Sequence, residues 1–342
     1  RAPPESNFTV FRLGRTRSSH QARPATMVRR ALVVVSAWAV CALGSCPAGT
    51  VPFPGSAGEA CEAYDEAYSQ AQAYLLANAP PWDLANAATL FGAEGGVDGL
   101  DDGVAAVGIH MALAAKNAYP WAAAVPKDAF LEYVVPYASA NEPRTNWRPL
   151  LAKALGPALN DLAAINATLD DVAKALNGYG AAEASLWDAF GTPIKFVSGR
   201  TPLVFDAVST VAFGGASCTG ISMLYLGALR AAGIPARLAG TPAWRGNTAA
   251  GNHNWVEILR GDKWSFVEGK PAAGGETLDD PCDKWFCASG RFQPGDNATR
   301  VYAARFDAHA NESVYPLAWD LKNQDVPGED RSAYYLQACG QC

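Results

Sequence analysis

Three residues whose types could carry out thiol chemistry stand close together in the chain: Cys218, His253 and Glu268. A cysteine attacks a carbonyl only as its thiolate, so it needs a setting that favours the charge and a base to move protons. The segment FGGASCTGISMLYLGALRAAGIP offers the first. Apolar residues recur at Ile221, Leu224, Tyr225, Ala228, Leu229 and Ala232, which is one stripe of an α-helix. Gly233 supplies a stop and Pro235 prevents continuation. Ser217 or Thr219 can cap the start. Cys218 therefore falls in the first turn, where unpaired N–H groups and the helix dipole favour a thiolate. Gly214 and Gly215 allow close backbone approach to a substrate. The plainer alternative is a buried structural cysteine at the end of a core helix.

The base comes from GNHNWVEILRGDKWSFVEGKP. Residues His253 to Leu259 alternate like a strand, Gly261-Asp262 marks a turn, and Lys263 to Val267 alternate again, which makes a hairpin. A turn at Arg260-Gly261 sets His253 directly opposite Glu268. A turn at Gly261-Asp262 leaves Glu268 one diagonal away. Both registers put the two side chains on one face, roughly 5 to 8 Å apart at Cβ. A carboxylate there holds the imidazole in one tautomer while the other ring nitrogen serves the thiolate. Glu276, Asp279 and Asp280 are nearby substitutes for Glu268. A second oxyanion donor has no clear owner. Beside the Cys218 main-chain N–H, the candidates are Trp147, Trp187 and Asn254.

The stretch GGASCTGISMLYLGALRAAGIPARL, followed by NHNWVEI and WSFVEG, resembles the core of the transglutaminase-like superfamily over about residues 165 to 270. The resemblance implies a circularly rearranged papain-like fold, with a Cys at a helix tip and a His and an acid on adjacent strands. It assigns Cys218 as nucleophile, His253 as general base and acid, and Glu268 as the orienting acid. The family's usual third residue is Asp, four positions after the Trp of the last strand, and that position here is Glu268. Upstream, VPKDAFLEYVVPYASANEPRTNWRPLL is similar to the lead-in of secreted transglutaminase-like proteins of bacterial type. That extends the resemblance to about residue 125.

The elements that must position these residues divide the chain unevenly. Helical spacing runs from Cys61 to about Leu90 with a stop at Pro80-Pro81, then from Val104 to Lys116, from Leu150 to Leu155, and from Ala158 to Leu176. Pro157 separates the last two. Strand-like segments begin at Ile194. The resulting expectation is an α+β protein. A helical N-terminal region (45–160) precedes a transglutaminase-like, papain-like core (161–275) and a cysteine-containing C-terminal extension (276–342).

Residues 1–44 read as an address. Arg29-Arg30, the apolar run from Ala31 to Gly44 and a small-residue exit describe a secretory signal peptide over 27–44. The Arg-rich residues 1–26 read as a non-native extension, with an organellar presequence as the rival. The seven Arg and one Glu of residues 1–46 leave 20 basic against 32 acidic residues in the rest, a net −12. Such an acidic body repels nucleic acid and anionic membrane. No apolar run reaches the roughly 18 residues of a membrane-spanning helix, so no stable membrane insertion is expected.

The cysteines agree with export. Cys41 leaves with the leader. Cys46, Cys61, Cys282, Cys287, Cys339 and Cys342 make three disulfides, and Cys218 stays free. Cys339-Gly-Gln-Cys342 reads as structural, closed on itself or paired back to Cys61, Cys282 or Cys287, rather than as a redox motif or part of a zinc site. Sequons at Asn166, Asn297 and Asn311 fit a glycoprotein. The acidic loop at 97–103 lacks the ligand pattern of a calcium loop, and His110 and His309 read as structural. No cofactor or metal site is expected. The function implied is a secreted Cys–His–acid enzyme acting on amide bonds of a protein or peptide substrate through a thioester, with hydrolysis by a peptidase or amidase favoured over acyl transfer to an amine. The rival is an inactive module of the same fold that binds peptide or glycan.

Overall fold

The computed structural model describes residues 46–55, 58–86, 90, 103–179, 185–272, 287, 292, 298–309 and 313–340. The leader, the sequons at Asn297 and Asn311, residues 97–102, Cys282, Cys342, Glu276, Asp279 and Asp280 lie outside them.

The described residues open with an antiparallel hairpin, β1 (Thr50–Gly55) and β2 (Gly58–Ala63), and then enter α1 (Tyr64–Asn78). Cys61 is thus in a strand and not in the helix that its Ala- and Tyr-rich surroundings suggest. Its disulfide to Cys46 ties the two ends of this hairpin region together. Helix α2 (Val104–Ala118) packs against α1 in a separate apolar cluster with Val51, Leu75, Ile109 and Phe130. His110 stacks on Tyr68 and shares a 2.7 Å hydrogen bond with Tyr64 Oη, a structural setting.

Next comes α3 (Trp147–Ala164), with Pro157 inside it. The sequence suggests a break at this proline, but the helix runs through. Leu151, Leu155, Leu159 and Leu162 sit on one buried face at helical spacing, and that continuous packing outweighs the lost backbone bond. The break falls instead at Asn166, whose φ of 54° turns the chain. Asn166 is exposed there, and Thr168 then caps α4 (Leu169–Leu176) in a reciprocal box with Asp171.

The parallel pair β3 (Lys195–Phe196) and β4 (Gly215–Ala216) flanks α5 (Ala207–Phe213) and leads into α6 (Cys218–Ala231). A Cβ on Gly215 would meet the Lys195 main-chain oxygen at 2.5 Å. The close approach that this glycine permits is to the chain's own strand and not to a substrate. All fourteen residues of α6 are buried, so the apolar stripe of the sequence is only part of its contact surface.

Helix α6 lies on an antiparallel sheet of order β7-β6-β5-β8-β10-β9. Its members are β5 (Ala236–Thr241), β6 (His253–Arg260), β7 (Lys263–Val267), β8 (Tyr302–Ala304), β9 (Ser313–Val314) and β10 (Pro327–Asp330). The sheet therefore continues past residue 275, just as α3 continues past residue 160. Along β6, Val256 and Ile258 join the cluster around α6, while Trp255 joins Phe266 and Tyr335 on the opposite face. Tyr335 belongs to α7 (Ser332–Gly340), which covers that face and is fastened by Cys287–Cys339. The pairing of Cys339 with Cys287 excludes both from a zinc site or a terminal redox pair.

A buried polar network locks the sheet's middle. The Glu257 carboxylate, wholly buried, accepts from Arg237 Nε at 2.8 Å, Arg331 Nε at 3.0 Å and Tyr335 Oη at 2.9 Å. Arg237 also donates to Glu329 at 2.6 Å and lies 3.9 Å from the Trp264 ring centre. Strands β5, β6 and β10 and helix α7 thus share one charge cluster, in which removing a partner strands the others. Glu257→Gln is expected to lower stability by about 3–5 kcal/mol, read as a fall in the urea midpoint at unchanged m-value. Non-reducing peptide mapping is expected to return Cys46–Cys61 and Cys287–Cys339 as linked pairs with Cys218 free.

Candidate active site

Cys218 occupies the first position of α6 and is the one free cysteine among the described residues. Ser217 stands at the N-cap position, yet its hydroxyl bonds Thr201 and caps nothing. Thr219 is turned away as well, donating to Asn254 Oδ1 at 2.8 Å. Neither residue acts as the cap that the sequence suggests. With no side chain capping the turn, its N–H groups are free to serve the sulfur, and the Thr219 main-chain N–H does so.

The hairpin takes the register with its turn at Gly261-Asp262, pairing Arg260 with Lys263 and Val256 with Val267. Glu268 follows directly after β7, and His253 begins β6. In this register His253 is one diagonal from Glu268, and His253 Nε2 meets Glu268 Oε1. The His253 side chain is also hydrogen-bonded to Cys218. The structure thus brings Cys218, His253 and Glu268 together, at 8%, 6% and 0% exposure. With Nε2 engaged by the carboxylate, Nδ1 is the ring nitrogen left for the thiol.

The electrostatics follow from these contacts. Burial pushes the Cys218 thiol up, but the His253 hydrogen bond and charge, with the main-chain N–H groups of Asn254 and Thr219, outweigh it and bring the group below its ordinary value. Burial likewise disfavours the charged imidazole. The Glu268 carboxylate and the Cys218 contact overcome that, and His253 is held well above its usual range. Both shifts favour the charged forms, a thiolate beside an imidazolium.

Several supports carry no obvious sign in the sequence. Asn177, at the end of α4, donates through Nδ2 to the Glu268 main-chain oxygen at 2.8 Å, and its Oδ1 accepts from Lys270 N at 2.8 Å. Trp187 Nε1 in turn donates to the Asn177 main-chain oxygen at 3.1 Å. Asn177 also ends α4 as the residue after its last turn. These bonds decide two of the candidate oxyanion donors. Trp187 is spent on Asn177, and Trp147 Nε1 donates to the Tyr137 oxygen at 2.9 Å. The Asn254 amide is engaged with Thr219 and Tyr315, and its main-chain N–H reaches Cys218. Tyr315, bonded to Asn254, is a neighbour of the site that no motif announces.

Comparison with known proteins covers the part of the chain that holds this arrangement. Residues 166–269 match the family model of the transglutaminase-like superfamily, which at family level supports a cysteine-dependent hydrolase or transferase. No curated protein matches the chain. A solved structure from Cytophaga hutchinsonii, described provisionally as a cysteine protease, aligns at 16% identity over 58% of this chain and 62% of that one, so the match spans about three fifths of its length. Its TM-score is 0.26, a superposition too loose to inform the site.

The ion pair has a measurable signature. Cys218 is expected to react with iodoacetamide at pH 6, well below the usual thiol pKa of about 8.5. Its rate should fall only as pH drops through the lowered thiol titration. His253→Ala leaves burial as the dominant influence and is expected to slow alkylation at pH 6 at least several-fold. Equal rates in the two proteins would dissolve the pair.

Proposed function

We propose that the chain is an exported cysteine-dependent hydrolase that cleaves amide bonds in protein or peptide substrates through a thioester on Cys218. The observation that carries this reading is the free Cys218, on an uncapped helix tip, hydrogen-bonded to a His253 that Glu268 holds from its other side. In the first half-reaction the sulfur bonds to the carbonyl carbon and the imidazolium proton goes to the departing amine. In the second, His253 takes a proton from water as the water oxygen bonds to the thioester carbonyl. The acid is released and the thiolate–imidazolium pair is restored. Glu268 steadies the imidazole in both halves through its bond to Nε2.

Hydrolysis is favoured because of what surrounds the site. Transfer to an amine requires that water be kept from the thioester. Water stands at about 55 M and a cellular amine at millimolar levels, a ratio of about ten-thousand that corresponds to about 5.5 kcal/mol. Extra domains that narrow access are one way to meet this demand. Here the strands at 302–304, 313–314 and 327–330 extend the central sheet instead of building a separate β-sandwich. Export is supported by the two disulfides, since such bonds persist in oxidising compartments. No described helix is long and apolar enough to cross a membrane.

The test is a glutamine-containing peptide library offered in EDTA with and without a labelled primary amine. Ammonia or peptide release is expected to outrun label incorporation, and both should vanish in Cys218→Ala. Label incorporation in excess of release would make the protein an acyltransferase. Absence of either, with Cys218 still alkylated, would favour a binding module.

A further inference from the structure

Trp147 and Trp187 spend their single indole N–H elsewhere, and the Asn254 amide gives one N–H to Tyr315 while its Oδ1 accepts from Thr219. One hydroxyl stands at the right place in the hydrogen-bond chain. Tyr315 follows β9 and is fixed there by its main-chain N–H, which donates to the Val326 oxygen at 2.8 Å. Its ring, 1% exposed, lies in the cluster around α6. Its hydroxyl oxygen accepts a hydrogen bond from Asn254 Nδ2. The orientation of that amide is set by Thr219, which donates to Oδ1. Because Tyr315 Oη is the acceptor, its own proton is not spent on Asn254.

Asn254 is the residue after His253, and its main-chain N–H serves the Cys218 sulfur. Thr219 is the residue after Cys218. One amide therefore ties the phenol to both halves of the reacting pair. The sheet makes room for this. Gly240 faces Asn254 across β5 and β6, and a Cβ there would stand 2.3 Å from Asn254 Nδ2. A side chain at 240 would press on that amide and on the His253 main-chain oxygen.

We propose that the Tyr315 hydroxyl donates the side-chain hydrogen bond to the oxyanion that forms when Cys218 attacks a carbonyl. The proposal rests on the thiol-enzyme reading above. The sulfur–carbon bond forms, the carbonyl π pair moves to oxygen, and the phenol shares its proton with that oxygen without transferring it. Burial, and after it the charge of Cys218, holds the phenol above its ordinary titration range, so it remains a donor wherever the thiolate exists. The Cys218 main-chain N–H, at the first position of α6, is the second donor.

Tyr315→Phe separates this role from a merely structural one, because two reagents probe Cys218 differently. Iodoacetamide reacts by displacement at a saturated carbon and makes no oxyanion. p-Nitrophenyl acetate acetylates the thiol through one. The variant is expected to keep its alkylation rate at pH 6 within about two-fold. Acetylation, followed by nitrophenolate release and by mass of the Cys218 peptide, is expected to fall on the order of 10²-fold. Loss of neither rate, or equal loss of both, would overturn the proposal, since the second outcome places Tyr315 behind the thiolate itself. If the phenylalanine variant does not fold, 3,5-difluorotyrosine at position 315 keeps the shape with a more acidic hydroxyl. It is expected to change the acetylation rate and add an upper inflection to its pH profile while alkylation stays constant, and an unchanged acetylation profile would overturn the role. A wild-type Cys218 inert to both reagents would overturn the thiol-enzyme reading and this role together, and that result is visible before any variant is made.

Discussion

Two opposite charges must coexist at Cys218 and His253 where almost no water reaches them. Burial alone would neutralise both by returning the proton from imidazole to sulfur, since each ion loses its hydration. The fold prevents this with fixed dipoles and one further charge. Two main-chain N–H groups point at the sulfur, and a carboxylate stands behind the imidazole. Those groups come from the tip of α6, the start of β6 and the residue after β7. The crossing of one helix with one hairpin therefore sets the geometry of the site, and much of the remaining structure serves to hold that crossing still.

Strand β6 shows how the holding is divided. Its first residue is the imidazole, its second carries the amide between Thr219 and Tyr315, and its fifth is the Glu257 carboxylate at the centre of the arginine cluster. A shift of one residue in register would exchange the two faces of the strand and lose all three sets of bonds together. Asn177 performs the same service for the acid, clamping the main chain on both sides of Gly269. The positions of the reacting groups are thus fixed through main-chain bonds to neighbours and not by contacts to the reacting atoms alone.

What the sequence disclosed and what it withheld follow one physical division. Cys218, His253 and Glu268 were legible because helix and strand periodicities are local, and the turn at Gly261-Asp262 limited the register to two choices. The helix stop at Gly233 was legible for the same reason. Pro157 misled because its local penalty was overridden by a leucine face whose partner helix lies sixty residues away. Cys61 misled because alanine-rich spacing says nothing about a hairpin closed by a disulfide to Cys46. Tyr315, Asn177 and the Arg237–Glu257–Arg331 cluster were not legible at all. Each joins residues far apart in sequence, and such pairs leave no pattern in a single chain.

The strand order of the sheet carries a consequence for how the protein comes into being. The helix that bears the sulfur and the hairpin that bears the imidazole are complete by residue 268. Strand β5, however, pairs on one side with β8, and Asn254 and Glu257 find Tyr315, Arg331 and Tyr335 only when those residues have left the ribosome. Until then the nascent chain holds a half sheet with an open edge and a buried carboxylate that lacks two of its partners. Pairings of this span are slow to form, because loop closure must precede their reward. The surroundings of Cys218 and His253 are therefore completed late, after synthesis of the residues that complete the sheet.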